Sequence, residues 1–379
     1  MSDGRPLRVG HLTTIDMSLW LLLRTELRDA VAEGWDVFGL SAPGPNEDRL
    51  RELGVTPVAV PSLTRSWDLR SDGRAARELY RTLRRLDLDV LHTHNPKTGV
   101  IGRVAGRLAR IPIVVNTCHG LWADADDPIA KRALVYGAEA AASVASDAEL
   151  YQNDQDRRTL SRYVPTRKAW TVGNGVDLDR FVRDPAAGAA LRAELGVAPD
   201  EILVGGVGRQ VAEKGMFELA DVARRLGDRA TFVWIGPPDP DKPDAVDGEV
   251  DGLRLLGPRD DMVAVYSALD VFVLPTHREG FSRSGMEAAA CATPMVLTDI
   301  RGCREIGTDG EHLLLVPPRD PDALAAAVTR LLDDPGLRRN LAAAAEARAR
   351  RTFDQTAVAA MSRDTYRRVA LRRGLDLPL

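Results

Sequence analysis

Short apolar runs alternate with Ala/Arg/Leu-rich stretches of helical periodicity, and this rhythm occurs twice along the chain. Residues 7–12 read as a strand, Leu19 to Glu33 as a helix ending near Gly34, and 35–40 as the next strand. A helix over 71–86 then precedes a strand at 89–94, and one over 98–110 precedes a strand at 113–117. Strands separated by helices of about 10–15 residues mean βαβ units and a mainly parallel sheet. The rhythm stops near Val172-Gly173-Asn174-Gly175-Val176-Asp177 and restarts at Ile202. A second set of strands is expected near 202–207, 231–235, 253–256, 271–275, 295–297 and 313–316. The expected architecture is α/β, with two doubly wound, Rossmann-like domains. One takes residues 1–180 and the other 181–355, joined by a connector around 175–200 that holds one short helix. Such sheets bind ligands at the carboxyl ends of their strands, here across the cleft the two domains are expected to form.

The 379 residues suit two domains. With 44% hydrophobic residues the chain fills two cores, which excludes disorder as its main state. Net charge is −4, so wholesale nucleic-acid binding is excluded. No apolar run reaches the roughly 18–20 residues that span a bilayer. No apolar segment precedes the first strand, so no secretory signal is read there. Cys118, Cys291 and Cys303 are odd in number and scattered, which is no disulfide framework. These features predict a soluble, cytoplasmic protein.

Two segments carry chemistry. In His277-Arg278-Glu279-Gly280-Phe281-Ser282-Arg283-Ser284-Gly285-Met286-Glu287, a strand runs through a turn into a helix. The free N–H groups of such a helix start suit a phosphate. Glu287, ahead of an Ala-rich run, needs hydrogen-bond donors, which ribose hydroxyls supply. On spacing alone, a capping Glu279 and a solvated Glu287 fit equally well. The second segment is Gly205-Gly206-Val207-Gly208-Arg209-Gln210-Val211-Ala212-Glu213-Lys214-Gly215, in which Arg209 and Lys214 flank a loop placed to clamp a diphosphate. Neither the dinucleotide fingerprint nor the P-loop spacing is present. The acidic, DP-rich segment from Pro237 to Gly252 shows no obvious chemistry.

Together the segments resemble the retaining family-4 glycosyltransferases of the GT-B fold. The resemblance rests on Gly208-Arg209…Glu213-Lys214-Gly215 and on Glu279…Glu287, the E-x7-E pattern. Asn174-Gly175-Val176-Asp177, Asp270 to Pro275 and Leu256-Gly257-Pro258-Arg259-Asp260-Asp261 extend it to nearly the whole chain. It implies a nucleotide-sugar donor, with UDP favoured, held mainly by the second domain. Gly208, Arg209 and Lys214 would hold the diphosphate and Glu287 the ribose. Glu279, with the backbone of Gly280, Phe281 and Ser282, would face the sugar and diphosphate, and Gly257, Pro258 and Arg259 the base. Two cations and a helix start stabilise the leaving diphosphate, so no metal ion is expected as cofactor. Asp124-Ala125-Asp126 and Asp177-Leu178-Asp179 match a metal-binding D-x-D by letter only. The resemblance also implies that a last helix, about 356–379, packs back on the first domain.

The first domain is expected to hold a glycan or lipid-linked acceptor. His119-Gly120 matches the family's histidine near the donor sugar, which gives a catalytic set of His119, Glu279, Arg209 and Lys214. His92 and His94 share one strand face and read as structural or as functional; a metal site with Cys118 and His119 would need four convergent ligands. Many relatives carry a Gly-Gly turn after the first strand. Here the corresponding loop, residues 11–18, has no glycine, so Thr14, Asp16 and Ser18 would act through side chains, with His94 and Lys97 beside them. The loop, the His92-to-Gly99 segment and Gly302-Cys303-Arg304-Glu305 resemble the capsule and exopolysaccharide subgroup. Between Arg65 and Arg110, eleven Lys/Arg stand against five Asp/Glu. Solvated helix faces explain this excess, as does peripheral contact with anionic lipid at the cytoplasmic leaflet; the C-terminal Arg363, Arg367, Arg368, Arg372 and Arg373 could add to it. Two rival readings remain, a GT-B nucleotide-sugar 2-epimerase and a non-catalytic nucleotide-sugar binder.

Overall fold

In the computed structural model, which describes residues 5–378, the chain forms two compact units. One runs to Gly173 and takes back the chain from Thr356; the other is Asn174–Gln355. Residues 174–180, expected in the first domain, therefore fold with the second. The reason is a backbone pairing: Val176 N–H donates to Phe353 O at 2.9 Å, and the Val176 side chain is buried in the second unit's core.

The first unit is a seven-stranded, wholly parallel sheet. Its strands are β1 (Arg8–Ile15), β2 (Asp36–Ala42), β3 (Thr56–Ala59), β4 (Val90–His94), β5 (Ile113–Cys118), β6 (Ala148–Tyr151) and β7 (Ala169–Thr171). They lie in the order β3-β2-β1-β4-β5-β6-β7. The second unit repeats the plan with β8 (Leu203–Val207), β9 (Thr231–Ile235), β10 (Arg254–Gly257), β11 (Val271–Leu274), β12 (Met295–Thr298) and β13 (Leu314–Val316), ordered β10-β9-β8-β11-β12-β13. In each sheet the strand order reverses at one pair, β1/β4 and β8/β11. Ligands bind doubly wound sheets beyond the carboxyl ends of such a pair.

Strands β3, β6 and β7 were not expected. β3 holds Pro57 at the sheet's edge, and β6 carries Glu149 in an otherwise apolar run. Burying Glu149 is tolerated because Arg103, itself fully buried, pairs with it at 2.8 Å and with Glu139 at 2.5 Å. The helix Asp16–Ala32 begins directly after β1, so the loop expected at residues 11–18 is strand and first helical turn. The last helix, Gln355–Arg373, buries Tyr366, Val369 and Ala370 in the first unit's core. Its arginines are spent locally, Arg363 on Asp29, Arg372 on Asp147 O and Arg373 on Asp147.

Candidate active site

In the second unit the ends of β8 and β11 are built against each other. Trp234, fully buried, donates from Nε1 to Gly208 O at 2.9 Å and fixes the turn that carries Arg209. Gly236, at φ 146°, lies so close that a Cβ there would stand 1.9 Å from Gly208 O. His277 N–H donates to Glu213 O at 2.8 Å, which joins the loop after β8 to the loop after β11. His277 Nε2 and the Glu218 carboxylate lie 2.6 Å apart, a second tie that sequence reading missed.

Arg209 and Lys214 are both ion-paired within the protein. Lys214 Nζ is bound to Glu279, both side chains being largely buried, and Arg209 is bound to Asp239. Asp239 belongs to the 237–252 segment, which is not idle. Asp244 accepts from Glu213 N–H at 2.9 Å, and Gln210 N–H donates to Pro237 O at 2.9 Å, so this segment holds the 209–213 turn in shape. Its acids work through backbone contacts and one ion pair, which composition does not display.

Ser282 caps the helix Arg283–Ala290 by accepting from Gly285 N–H at 3.1 Å. The Ser282 N–H itself donates to Gly302 O at 3.3 Å, so it is committed within the protein. Phe281 packs edge-on against Phe353. Glu287 is 8% exposed; Tyr266 Oη donates to it at 2.9 Å and Arg283 Nε at 3.0 Å. Burial, then the Glu287 charge, drives the Tyr266 phenol well above its usual range. Gly257, at φ 70°, accepts from Gly236 N–H through its carbonyl and leads into Pro258; Arg259 is held by Glu194 at 2.8 Å and Asp261 at 2.8 Å.

The first unit gathers four histidines at the ends of β1, β4 and β5. His94 Nδ1 lies 3.0 Å from His119 Nε2, and His94 Nε2 lies 3.2 Å from His11 Nδ1. His92 spans Tyr366 Oη at 2.6 Å and Thr117 Oγ1 at 2.7 Å. Burial is the main force that lowers His119 and His11 to about 4, with Glu26 opposing it, and it takes His94 well below its usual value. His11, His94 and His119 are therefore held neutral at physiological pH. His11, His92 and His94 also form a group whose ligand atoms lie within 4.8 Å of one another. Both His92 nitrogens already have partners, so the set reads as a hydrogen-bonded relay. His11 was missed; only the register that sets His11 beside His92 exposes it.

The residues expected to meet the acceptor are unevenly placed. Asp16 is buried and accepts from Asn46 N–H at 2.6 Å and Asn46 Nδ2 at 3.0 Å, so it serves the loop after β2. Lys97 is 3% exposed, ion-paired with Asp72 and donating to Ser66 O at 2.6 Å and Thr64 Oγ1 at 3.1 Å. It anchors the loop after β3 and is not offered to a ligand. Thr14 is buried, 3.4 Å from Thr98 Oγ1, and Ser18 lies half-buried on the first helix.

The family model described as "Glycosyltransferase Family 4" matches residues 22–180, and that described as "Glycosyl transferases group 1" matches 201–334. A D-inositol 3-phosphate glycosyltransferase of Xylanimonas cellulosilytica is 32% identical over 310 residues, which cover 75% of this chain and 73% of that protein. The chain belongs to the family-4, group-1 glycosyltransferases. This glycosyltransferase is also 28% identical, over 77% of its length and 78% of the relative's, to the UDP-Gal:alpha-D-GlcNAc-diphosphoundecaprenol alpha-1,3-galactosyltransferase of Escherichia coli. Among solved structures, HepE of Anabaena in complex with UDP superposes with a TM-score of 0.78 at 18% identity, covering 95% of this chain and 99% of that one. The glycosyltransferase thus has the GT-B fold. No described helix is long and apolar enough to cross a membrane.

Proposed function

We propose that this glycosyltransferase moves a hexosyl or N-acetylhexosaminyl group from a UDP-sugar to a glycan or lipid-linked acceptor, with retention at the anomeric carbon and without a metal ion. The observation that carries the reading is the pair of cations after β8, Arg209 and Lys214, each resting on a carboxylate, Asp239 after β9 and Glu279 after β11. An entering diphosphate replaces those carboxylates. Glu279, freed from Lys214, then accepts from hydroxyls of the donor sugar, while Glu287 takes the ribose.

In the reaction the bond from the anomeric carbon to the phosphate oxygen breaks, and a bond to the acceptor oxygen forms on the same face. The acceptor's proton passes to the leaving phosphate oxygen, so no protein base is needed and Glu279 is not a nucleophile. The charge that grows on the diphosphate is met by Arg209, Lys214 and the start of helix Arg283–Ala290. Neutral His119, its Nε2 held by His94, contributes a fixed hydrogen-bonding group to the sugar. Metal independence is supported by the fixed cations.

The UDP preference and the lipid-linked acceptor draw on the names of the relatives, one found with UDP and one acting on a diphosphoundecaprenol substrate. A membrane-surface role draws on the helix Leu69–Leu86. Its Arg74, Arg77, Arg81 and Arg84 recur on one exposed face, opposite buried Ala75, Leu79 and Leu83. Such a stripe suits the anionic cytoplasmic leaflet. Calorimetric titration with UDP, GDP and ADP, with Mg²⁺ or with EDTA, tests the donor reading. Tight binding of UDP alone under both conditions is expected. No nucleotide binding, or binding only with metal, defeats it. Turnover of the UDP-sugar then separates transfer from isomerisation, the epimerase outcome, and from binding without reaction.

A further inference from the structure

A groove of about 830 Å³ lies apart from both clusters, between the helices Ile129–Ser143 and Asp154–Leu160. Arg132, Arg158 and Arg162 line it with Tyr136, Tyr163 and Gln155, and no carboxylate is among its lining residues. Arg158 is 77% exposed and pairs with Asp154 on its own helix; Arg162 has no ion pair among the described residues. Arg132 donates from Nη1 to Ala125 O at 3.2 Å, while its Nε is buried without a partner.

The groove's position follows from topology. The helix Asp154–Leu160 begins just after β6, so the groove's Gln155 end lies at the carboxyl edge of the sheet, the edge that carries His119, while Ile129–Ser143 follows β5 after the segment 119–128. The segment after His119 is also tied to the groove's walls. Tyr136 Oη donates to Ala123 O at 3.4 Å, and Leu121 N–H donates to Asp156 at 2.9 Å.

We propose that this groove holds an acidic stretch of the acceptor glycan, its arginines taking uronate carboxylates and its tyrosines the faces of the pyranose rings. This rests on the acceptor reading above. Guanidinium forks match carboxylates in two-pronged geometry. Tyrosine offers an apolar face with a polar tip, as a sugar's alternating CH and OH surface requires. A lipid tail would call for an aliphatic lining, whereas this one is mostly aromatic, amide and guanidinium.

The test is a titration of the full chain with tetragalacturonate and with its carboxyl-reduced, neutral counterpart, alongside UDP. The acidic tetramer should bind at least tenfold tighter than the neutral one and weaken as salt rises. Arg158→Glu with Arg162→Glu should reduce that binding at least tenfold and leave UDP affinity and the melting temperature near wild type, since both side chains are exposed. Equal binding of the two tetramers, no binding, or wild-type binding by the double variant overturns the proposal. Capture of phosphatidylglycerol vesicles through these arginines, without tetramer binding, overturns it in favour of a lipid surface. Because UDP is titrated on the same samples, intact UDP binding in any failed case leaves the donor reading standing.

Discussion

Replacing Lys214 by alanine separates a catalytic cation from a structural one. In the resting protein its ammonium is bound to Glu279, with side-chain exposures of 15% and 16%. During reaction the same charge is expected on the diphosphate, where negative charge grows. Removing one such contact costs about 2.7–4 kcal/mol, or roughly 10²–10³ in turnover. The variant also leaves Glu279 half-buried without its cation, at about 1–3 kcal/mol of stability. The two effects are separable. Lys214→Ala combined with Glu279→Gln removes the stranded charge, so the double variant should recover most of the lost melting temperature while turnover stays low. The assay is UDP release from UDP-sugar by slow transfer to water at saturating donor, which needs no acceptor, paired with a thermal melt. Turnover of folded Lys214→Ala within threefold of wild type refutes the clamp. So does a double variant that regains turnover together with stability, because the lysine would then be acting only as the partner of Glu279.

The remaining predictions concern the groups around this pair. Glu287→Ala should weaken UDP binding at least tenfold by calorimetry; unchanged affinity would assign the carboxylate to holding Tyr266 and Arg283 alone. Asp239→Asn should tighten UDP three- to tenfold, because the diphosphate must displace Asp239 from Arg209; weaker binding would show that Asp239 instead aims Arg209 at the ligand. Acidification should lower the melting temperature between pH 6.5 and 4. There the unfolded chain binds protons on His11 and His119 that the native state refuses until about pH 4, so stability rises with pH across that window. Glu26 extends the loss further. Burial favours its protonated form, but the His92 hydrogen bond and charge prevail and lower it to about 2, so its contribution disappears from pH 4.5 downwards. A flat melting temperature from pH 6.5 to 4 would show that these imidazoles are not held neutral, and His11→Asn should make the slope shallower.

What could be read from sequence follows the range of the interactions involved. Continuous apolar runs such as Val271–Leu274 declare a buried parallel strand by themselves. β6 does not, since the charge of Glu149 is matched in the core by Arg103, a partner 46 residues away, with Asn116 donating from 33 residues away. The site divides in the same way. Gly208, Arg209, Lys214 and Glu279 sit in two short turns at strand ends and Glu287 in the helix that follows one of them, so the pattern is local in the chain, although spacing alone fits a capping Glu279 and a solvated Glu287 equally well. His11 is visible only once β1 is known to lie beside β4, which sets it against His92. Asp16 and Lys97 looked available because the partners that bury them are distant in the chain. Asn46 arrives from the loop after β2, and Asp72 from the first turn of the helix Leu69–Leu86. The resting state of the clamp is the sharpest case. Arg209 and Lys214 stand five residues apart, while Asp239 and Glu279 come from the turns after β9 and β11. A local motif therefore reveals the groups proposed to meet a ligand. The groups that hold them in its absence lie on separate strands' turns, and only the fold brings the four charges together.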